Sequence, residues 1–270
     1  MFLGYDKNFR QLYFDGKISG AKTPSRLLRV IDVDAEVSSL LYSGMRNAEW
    51  LLRCFFVRNY CEKFDPRGSF LDYENYYDLG GGYGGDRLAR GLMNDILTYG
   101  DSHVESVLAE ASRVRGCVLP RWCTEENWQV CRDLSAGLAL WEVVDSFSLG
   151  RLVRLLQCCD PVEDATEHVW RNISLDMGVY EGQFLARIES LRSLRNLVSH
   201  QSRLWARPTT NTPTKKGKFR KKMNRCHRKS MLVAFYNVAL LQGEEEKQYD
   251  FSRRIEAVLN SEPDYAVGVS

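Results

Sequence analysis

Between Asp32 and about Phe64, apolar side chains recur at spacings of three and four: Val33, Val37, Leu40, Leu41, Met45, Ala48, Leu52, Phe55 and Phe56. That is the period of an α-helix, not of a strand. Asp65-Pro66-Arg67-Gly68 supplies the stop signal. A helix of this length needs other elements to cover its apolar stripe, and the rest of the chain offers helices for the task. Helical patterns return at about 86–114, with Asp86 as its candidate cap, and at 124–145, with Thr124 in that role. They continue at 148–158, 183–205, 219–241 and 251–259, with a short helix expected from Val162 to Trp170 after Pro161. No alternating strand pattern and no internal repeat is present. The spacing predicts an all-α fold, a helical bundle with additional helices. Residues 1–30 are read as an N-terminal segment and 31–270 as one helical domain.

Several function classes fall away. Gly80-x-Gly82-x-x-Gly85 has the letters of a dinucleotide fingerprint, but no strand precedes it and no βαβ unit surrounds it, so the segment 70–86 is read as an aromatic, glycine-rich loop. Tyr73, Tyr76 and Tyr77 within it are read as packing residues. The eight cysteines include no C-x-x-C pair, and Cys117, Cys123 and Cys131 match no common zinc spacing. They are read as reduced thiols that pack as small hydrophobes. No run of about 18 apolar residues predicts a membrane span, and the charged N-terminus has no apolar signal core. These features lead to the expectation of a cytoplasmic protein with no membrane partner, no metal and no small-molecule cofactor.

The charge distribution is informative where the total is not. The net charge is only +2, yet Ser190 to Gly243 contains no Asp or Glu. In that stretch lie Arg192, Arg195, Arg203, Arg207, Lys215, Lys216, Lys218, Arg220, Lys221, Lys222, Arg225, Arg228 and Lys229. The block carries +13, so the remainder sums to −11 (2 − 13). Such segregation is the electrostatic footprint of a phosphate-rich partner. The residues from Arg203 onwards are the candidate RNA-binding set, and Phe219 and His227 among them are candidates for stacking on unpaired bases.

Immediately upstream lies the segment Leu191-Arg-Ser-Leu-Arg-Asn-Leu-Val-Ser-His200. On a helix, Phe184, Ile188, Leu191 and Val198 share one stripe, and Arg195 falls within about 20° of its middle. A guanidinium there requires a partner: a carboxylate such as Glu49, a symmetric second subunit, or a phosphate. Asn196 and His200, four residues apart, share one flank. A cation, an amide and an imidazole on one short length of helix suit RNA cleavage. Attack of a ribose 2′-hydroxyl on the adjacent phosphate needs a proton acceptor, a stabiliser of phosphate charge and a proton donor. Histidine serves as acceptor or donor near neutral pH. Arginine presents a fork matched to phosphate oxygens, and asparagine orients either. His103, His168 and His227 lack such company.

Arg195-Asn196-x-x-x-His200 resembles the R-N-x-x-x-H form of the HEPN superfamily motif. The continuation Gln201-Ser-Arg203-Leu-Trp205-Ala-Arg207-Pro208 resembles the Abi-like (AbiD/AbiF) abortive-infection family, whose motif region commonly reads R-N-x-x-x-H-x-S-R-L-W. The segment from Leu140 to Leu152 is similar to that family's block before the motif. The resemblance covers about 139–208 well and about 30–75 more weakly. Where the family often carries a second histidine, this chain has Gln201. The resemblance implies a HEPN-type helical domain, and the basic run is read as a loop or helix at 207–230 inserted after the motif helix. The resemblance also implies a homodimer in which two motif helices build one composite site, and a role in phage defence or as a toxin. The leading expectation is therefore a metal-independent endoribonuclease with Arg195, Asn196 and His200 as catalytic residues. A non-catalytic protein that holds a guide or regulatory RNA is the alternative, and a protein-interaction module is the third reading.

Overall fold

The computed structural model describes residues 2–76, 84–159, 168–211 and 213–270. Thirteen α-helices and four short 3-10 turns account for the regular structure of these residues, and no strand is present among them. In chain order the helices are α1 (Phe2–Phe14), α2 (Pro24–Cys61), α3 (Gly85–Tyr99), α4 (Ser102–Arg115), α5 (Trp128–Ser135), α6 (Leu140–Val143) and α7 (Leu149–Cys158). They continue as α8 (Val169–Asp176), α9 (Phe184–Ser199), α10 (Arg220–Met223), α11 (Met231–Leu240), α12 (Glu245–Ser261) and α13 (Pro263–Val269). The fold class is all-α, as the spacing predicts.

Where the sequence suggests long helices, local chemistry divides three of them. The pattern at 86–114 breaks at Gly100, and Asp101 caps the new helix α4 by accepting from the Val104 N–H at 2.9 Å. The pattern at 124–145 separates into α5 and α6. Asn127, not Thr124, stands at the start of α5, and its side chain accepts from the Thr124 N–H at 2.7 Å. The expected helix over 219–241 is two helices, because Ser230 caps α11 through the Leu232 N–H at 3.1 Å. Asp86 lies in the first turn of α3, after the cap residue Gly84. Gly80 and Gly82 of the glycine fingerprint, Tyr77 and the start of the helix expected from Val162 lie outside the described residues.

Two compact units result: Met1–Leu51 with Met177–Ser270, and Leu52–Asp176. In the second unit, Phe56, Tyr60 and Phe64 stack along the end of α2. Tyr76 donates its hydroxyl to the Phe70 carbonyl at 2.6 Å, so it is a packing residue. Asp95 on α3 caps the start of α7 by accepting from the Ser148 N–H at 3.0 Å.

The first unit carries the motif. Its centre is α11, every residue of which is buried. A helix apolar on all sides needs cover on all sides, and α9 and α12 both pack on it. Its polar members are satisfied: Asn237 donates to the Thr214 carbonyl at 2.9 Å and to the Val233 carbonyl at 2.7 Å. Gln242, just beyond α11, donates to the Gly44 carbonyl on α2 at 3.0 Å. Gly44 is required by close packing, since a Cβ there would sit 2.3 Å from the Phe251 ring.

Candidate active site

The motif occupies the end of α9 and the turn after it. The buried arc of α9 comprises Phe184, Arg187, Ile188, Ser190, Leu191, Leu194 and Val198. This arc is wider than the stripe read from the sequence, and Arg187, Ser190 and Leu194 extend it to one side. Its centre therefore shifts, and Arg195 stands roughly 60° from it by helical geometry. The expectation of a deeply placed Arg195 is corrected accordingly: Arg195 is half-buried on the flank, while Asn196 and His200 are exposed. Arg187 is the arginine inside the core, 1% exposed.

The three arginines of α9 are held differently. Arg187 donates to the Asn237 side chain at 2.6 Å and to the Lys216 carbonyl. Both partners are neutral, its Nε has no acceptor, and burial lowers its pKa to about 10. It ties α9 to the base of the basic loop. Arg192 pairs with Glu189 one turn back. Arg195 makes no hydrogen bond or ion pair with any described residue, and the carboxylate partner considered for it is not formed. The side chains of Asn196 and His200 are likewise unengaged. A guanidinium, an amide and an imidazole thus lie within the last turn and cap of α9, with no side-chain partner among the described residues.

The turn is built by the backbone. His200 is the cap residue, and its N–H donates to the Asn196 carbonyl at 3.1 Å. Gln201 N–H donates to the Val198 carbonyl at 2.9 Å, and Ser202 N–H to the Leu197 carbonyl at 2.8 Å. This pair of bonds is the Schellman motif, which demands a left-handed residue at the Gln201 position. Glycine is the usual occupant, yet Gln201 sits there with φ +50°. An ordinary residue in this region costs roughly 1–2 kcal/mol.

The Arg203-Leu204-Trp205 tail follows and serves as a clamp. Asp34 of α2, 3% exposed, accepts four hydrogen bonds. Its Oδ2 takes the Leu204 N–H at 3.1 Å and the Tyr5 hydroxyl, and its Oδ1 takes the Trp205 N–H at 3.2 Å and the Tyr265 hydroxyl at 2.7 Å. Burial, with Asp34 beside them, pushes both tyrosine hydroxyls well above their usual range. Trp205 is fully buried, stacks near Tyr5 and Phe9 with ring centres 6.1 Å away, and donates Nε1 to the Asp264 carbonyl at 3.0 Å. Gly268 makes room for it, since a Cβ there would meet the indole at 2.0 Å. Arg203 bonds the Gly4 carbonyl and lies over Tyr5 at 5.6 Å. α1, α2, α13 and the end of α9 are thereby fixed to one another around a single carboxylate.

The sequence reading did not single out Asp34. Its signal is present, for Asp34 stands three and four residues from Val37 and Val30 in the stripe Leu27, Val30, Val37, Leu41, Met45, Ala48, Leu52 and Phe56, all buried. A lone carboxylate on such a stripe calls for several donors.

The basic block separates into engaged and free cations. Lys215 bonds the Cys226 carbonyl, Lys218 pairs with Glu245 at 3.1 Å, and Lys222 pairs with Glu256 beside the Phe219 and Tyr236 rings. Arg203 belongs to the clamp. Among the described residues, Arg207, Lys216, Arg220, Lys221, Arg225, Arg228 and Lys229 direct their side chains to no hydrogen-bond or ion-pair partner. The stacking role considered for Phe219 is corrected: it is 2% exposed and packs against Tyr236 and Tyr249 at 5.6 and 5.5 Å. His227 is exposed, with Nδ1 accepting from the Lys229 N–H at 3.2 Å. Among the described residues no three potential metal-ligating side chains of His, Cys, Asp or Glu lie together, and no helix is long and apolar enough to cross a membrane.

No curated protein and no solved structure matches the chain. The Abi-like protein family does, over residues 2–206. That span runs from α1 through α2 to α9 and its clamp. With its R-N-x-x-x-H turn and R-L-W tail inside the matched region, this chain belongs to the Abi-like protein family.

Proposed function

We propose that this protein is a metal-independent endoribonuclease of HEPN type that acts in phage defence by abortive infection, or as a toxin. The observation that carries the reading is the unengaged set on the last turn of α9. Arg187 and Arg192 each have side-chain partners within the fold, and Arg195 has none among the described residues. Exposed polar side chains held on a rigid turn and left without partners are groups available to a ligand.

The chemistry follows from residue types. His200 takes the proton from a ribose 2′-hydroxyl, or delivers one to the departing 5′-oxygen. Arg195 holds the phosphate oxygens and the negative charge that develops on them. Asn196, one helical turn before His200, orients the phosphate or the imidazole. The reaction displaces the 5′-oxygen and leaves a 2′,3′-cyclic phosphate; in a two-fold dimer one copy of His200 accepts the 2′-hydroxyl proton and the other copy delivers a proton to the departing 5′-oxygen. The half-buried flank position of Arg195 favours a homodimer in which two α9 helices face each other across a two-fold axis and share one site. The free cations Arg207, Lys216, Arg220, Lys221, Arg225, Arg228 and Lys229 supply sequence-independent phosphate contacts. A cytoplasmic location suits this substrate.

The test separates binding from cutting. Arg195→Ala and His200→Ala proteins are compared with the wild type for cleavage of mixed single-stranded RNA and for RNA affinity. His200→Ala is expected to retain affinity and lose at least about a hundredfold in rate. Full cleavage by both variants at wild-type stability overturns the reading. RNA held tightly by all three proteins, with turnover by none, would instead favour a protein that holds a guide or regulatory RNA.

A further inference from the structure

Beside the motif turn lies a groove of about 540 Å³ between α2 and the end of α9. One wall is the α2 face that carries Ile31, Ala35, Ser38 and Tyr42, and the other is the turn Ser199 to Ser202. Ser199 and Gln201, the chain neighbours of His200, both line it. At its floor the Asp34 carboxylate is already saturated by four donors.

Three features identify an occupant. First, no Lys, Arg or His lines the groove, so it is not built for phosphate, whose cations stand elsewhere on the block. Second, its free polar groups are neutral. The Ser38, Ser199, Ser202 and Gln201 side chains make no hydrogen bond with any described residue, and Ser39 donates to the Ala35 carbonyl while keeping its lone pairs. Third, its mouth carries an aromatic face, since Tyr42 is 52% exposed. An aromatic wall with uncharged donors and acceptors is how proteins hold a base of single-stranded RNA. The left-handed Gln201 adds to this. The helix cap holds Gln201 left-handed at φ +50° beside His200, and Gln201 is among the residues that line the groove.

We infer that this groove is a nucleobase subsite: it takes an unpaired base of the RNA next to the phosphate addressed by Arg195 and His200, stacked on Tyr42 and met at its polar edge by Gln201 and the serines. The inference rests on the reading of the α9 turn as an RNA site. It makes the enzyme selective for unpaired RNA and sensitive to base identity at one position near the cut.

The experiment uses the full chain carrying His200→Ala, so that RNA is bound without being consumed. Its affinity is measured for a single-stranded oligonucleotide that the wild type cleaves, or for a uridine-rich one if none is cleaved. An abasic nucleotide is then placed at each position in turn. Loss of one base is expected to weaken binding by roughly tenfold or more at a single position. Adding Tyr42→Ala should weaken the intact RNA to a similar extent and abolish the position dependence, and Tyr42→Phe should restore both. Binding that is indifferent to abasic replacement at every position, or a position dependence unchanged by Tyr42→Ala, overturns this inference alone. No RNA binding at all overturns it together with the nuclease reading. Position-dependent binding by a wild type that never cleaves supports the subsite and sinks the nuclease.

Discussion

Replacing Asp34 by Asn is the most informative perturbation of the clamp, because it keeps the shape and changes the hydrogen-bond count. Each carboxylate oxygen accepts one backbone N–H and one tyrosine hydroxyl. An asparagine amide retains one of those oxygens and presents an NH2 group in place of the other. Whichever way it turns, one tyrosine and one backbone N–H then face a donor. The tyrosine can rotate and accept, but the N–H of Leu204 or Trp205 cannot. A buried orphan donor costs about 1–3 kcal/mol, and two retained bonds that lose their charged acceptor weaken by about 1 kcal/mol each. Relief of burying a carboxylate offsets part of this, so the net loss is about 2–4 kcal/mol, a large fraction of the stability of an ordinary domain. Urea unfolding followed by circular dichroism measures it. A double-mutant cycle with Tyr265→Phe should show coupling of at least about 0.5 kcal/mol, since both changes act at one carboxylate. An Asp34→Asn protein within 0.5 kcal/mol of the wild type, or strict additivity with Tyr265→Phe, would refute the clamp as described.

Three further outcomes follow from the same structure. Burial holds the Arg187 pKa at about 10, well below the ordinary range of a guanidinium, so the charge costs about 3 kcal/mol at every pH below about 10. Arg187→Met removes that cost and Arg187→Lys keeps it while losing a hydrogen bond, so thermal melting should rank the lysine variant below the methionine variant. Converting Lys221, Arg225 and Arg228 to Gln should lessen the slope of log affinity against log salt by about 2 units for single-stranded RNA, read by fluorescence anisotropy, with the cleavage position unchanged. The Glu142 carboxyl is held below its usual range, first by the Ala139 N–H at 2.6 Å and then by His103. Its contribution is therefore present above the usual carboxylate range and lost as pH falls through the lowered folded value. Glu142→Gln should flatten that acid limb of the stability profile and leave the neutral plateau nearly level apart from the lost cap.

Helix content and the motif turn were legible in the sequence because both are local. The 3-4 spacing from Val33 to Phe56 and the R-N-x-x-x-H spacing depend only on helical geometry. What depends on the partner surface was not legible. Arg195 and Arg187 both lie near the apolar stripe of α9, and which of them is buried is decided by α11, whose Asn237 receives Arg187. Phe219 reads as an aromatic in a basic run, yet Tyr236 and Tyr249 enclose it. The R-L-W tail is visible as a family signature, but its purpose emerges only when Asp34, some 170 residues earlier, is seen to accept from Leu204 and Trp205. Helix breaks at Asp101 and Ser230 carried sequence signals, namely a capping side chain before an apolar run, that the continuous periodicity masked.

The ends left on the RNA distinguish 2′-hydroxyl attack assisted by His200 from metal-dependent hydrolysis. Wild-type protein is incubated with single-stranded RNA in EDTA, and the new ends are identified by mass spectrometry, with a substrate bearing 2′-O-methyl groups and the His200→Ala protein as controls. The wild type is expected to leave 2′,3′-cyclic phosphate ends, with none from the methylated RNA and none from His200→Ala. Free 3′-hydroxyl ends, cleavage that vanishes in EDTA, or equal cleavage by His200→Ala would contradict it.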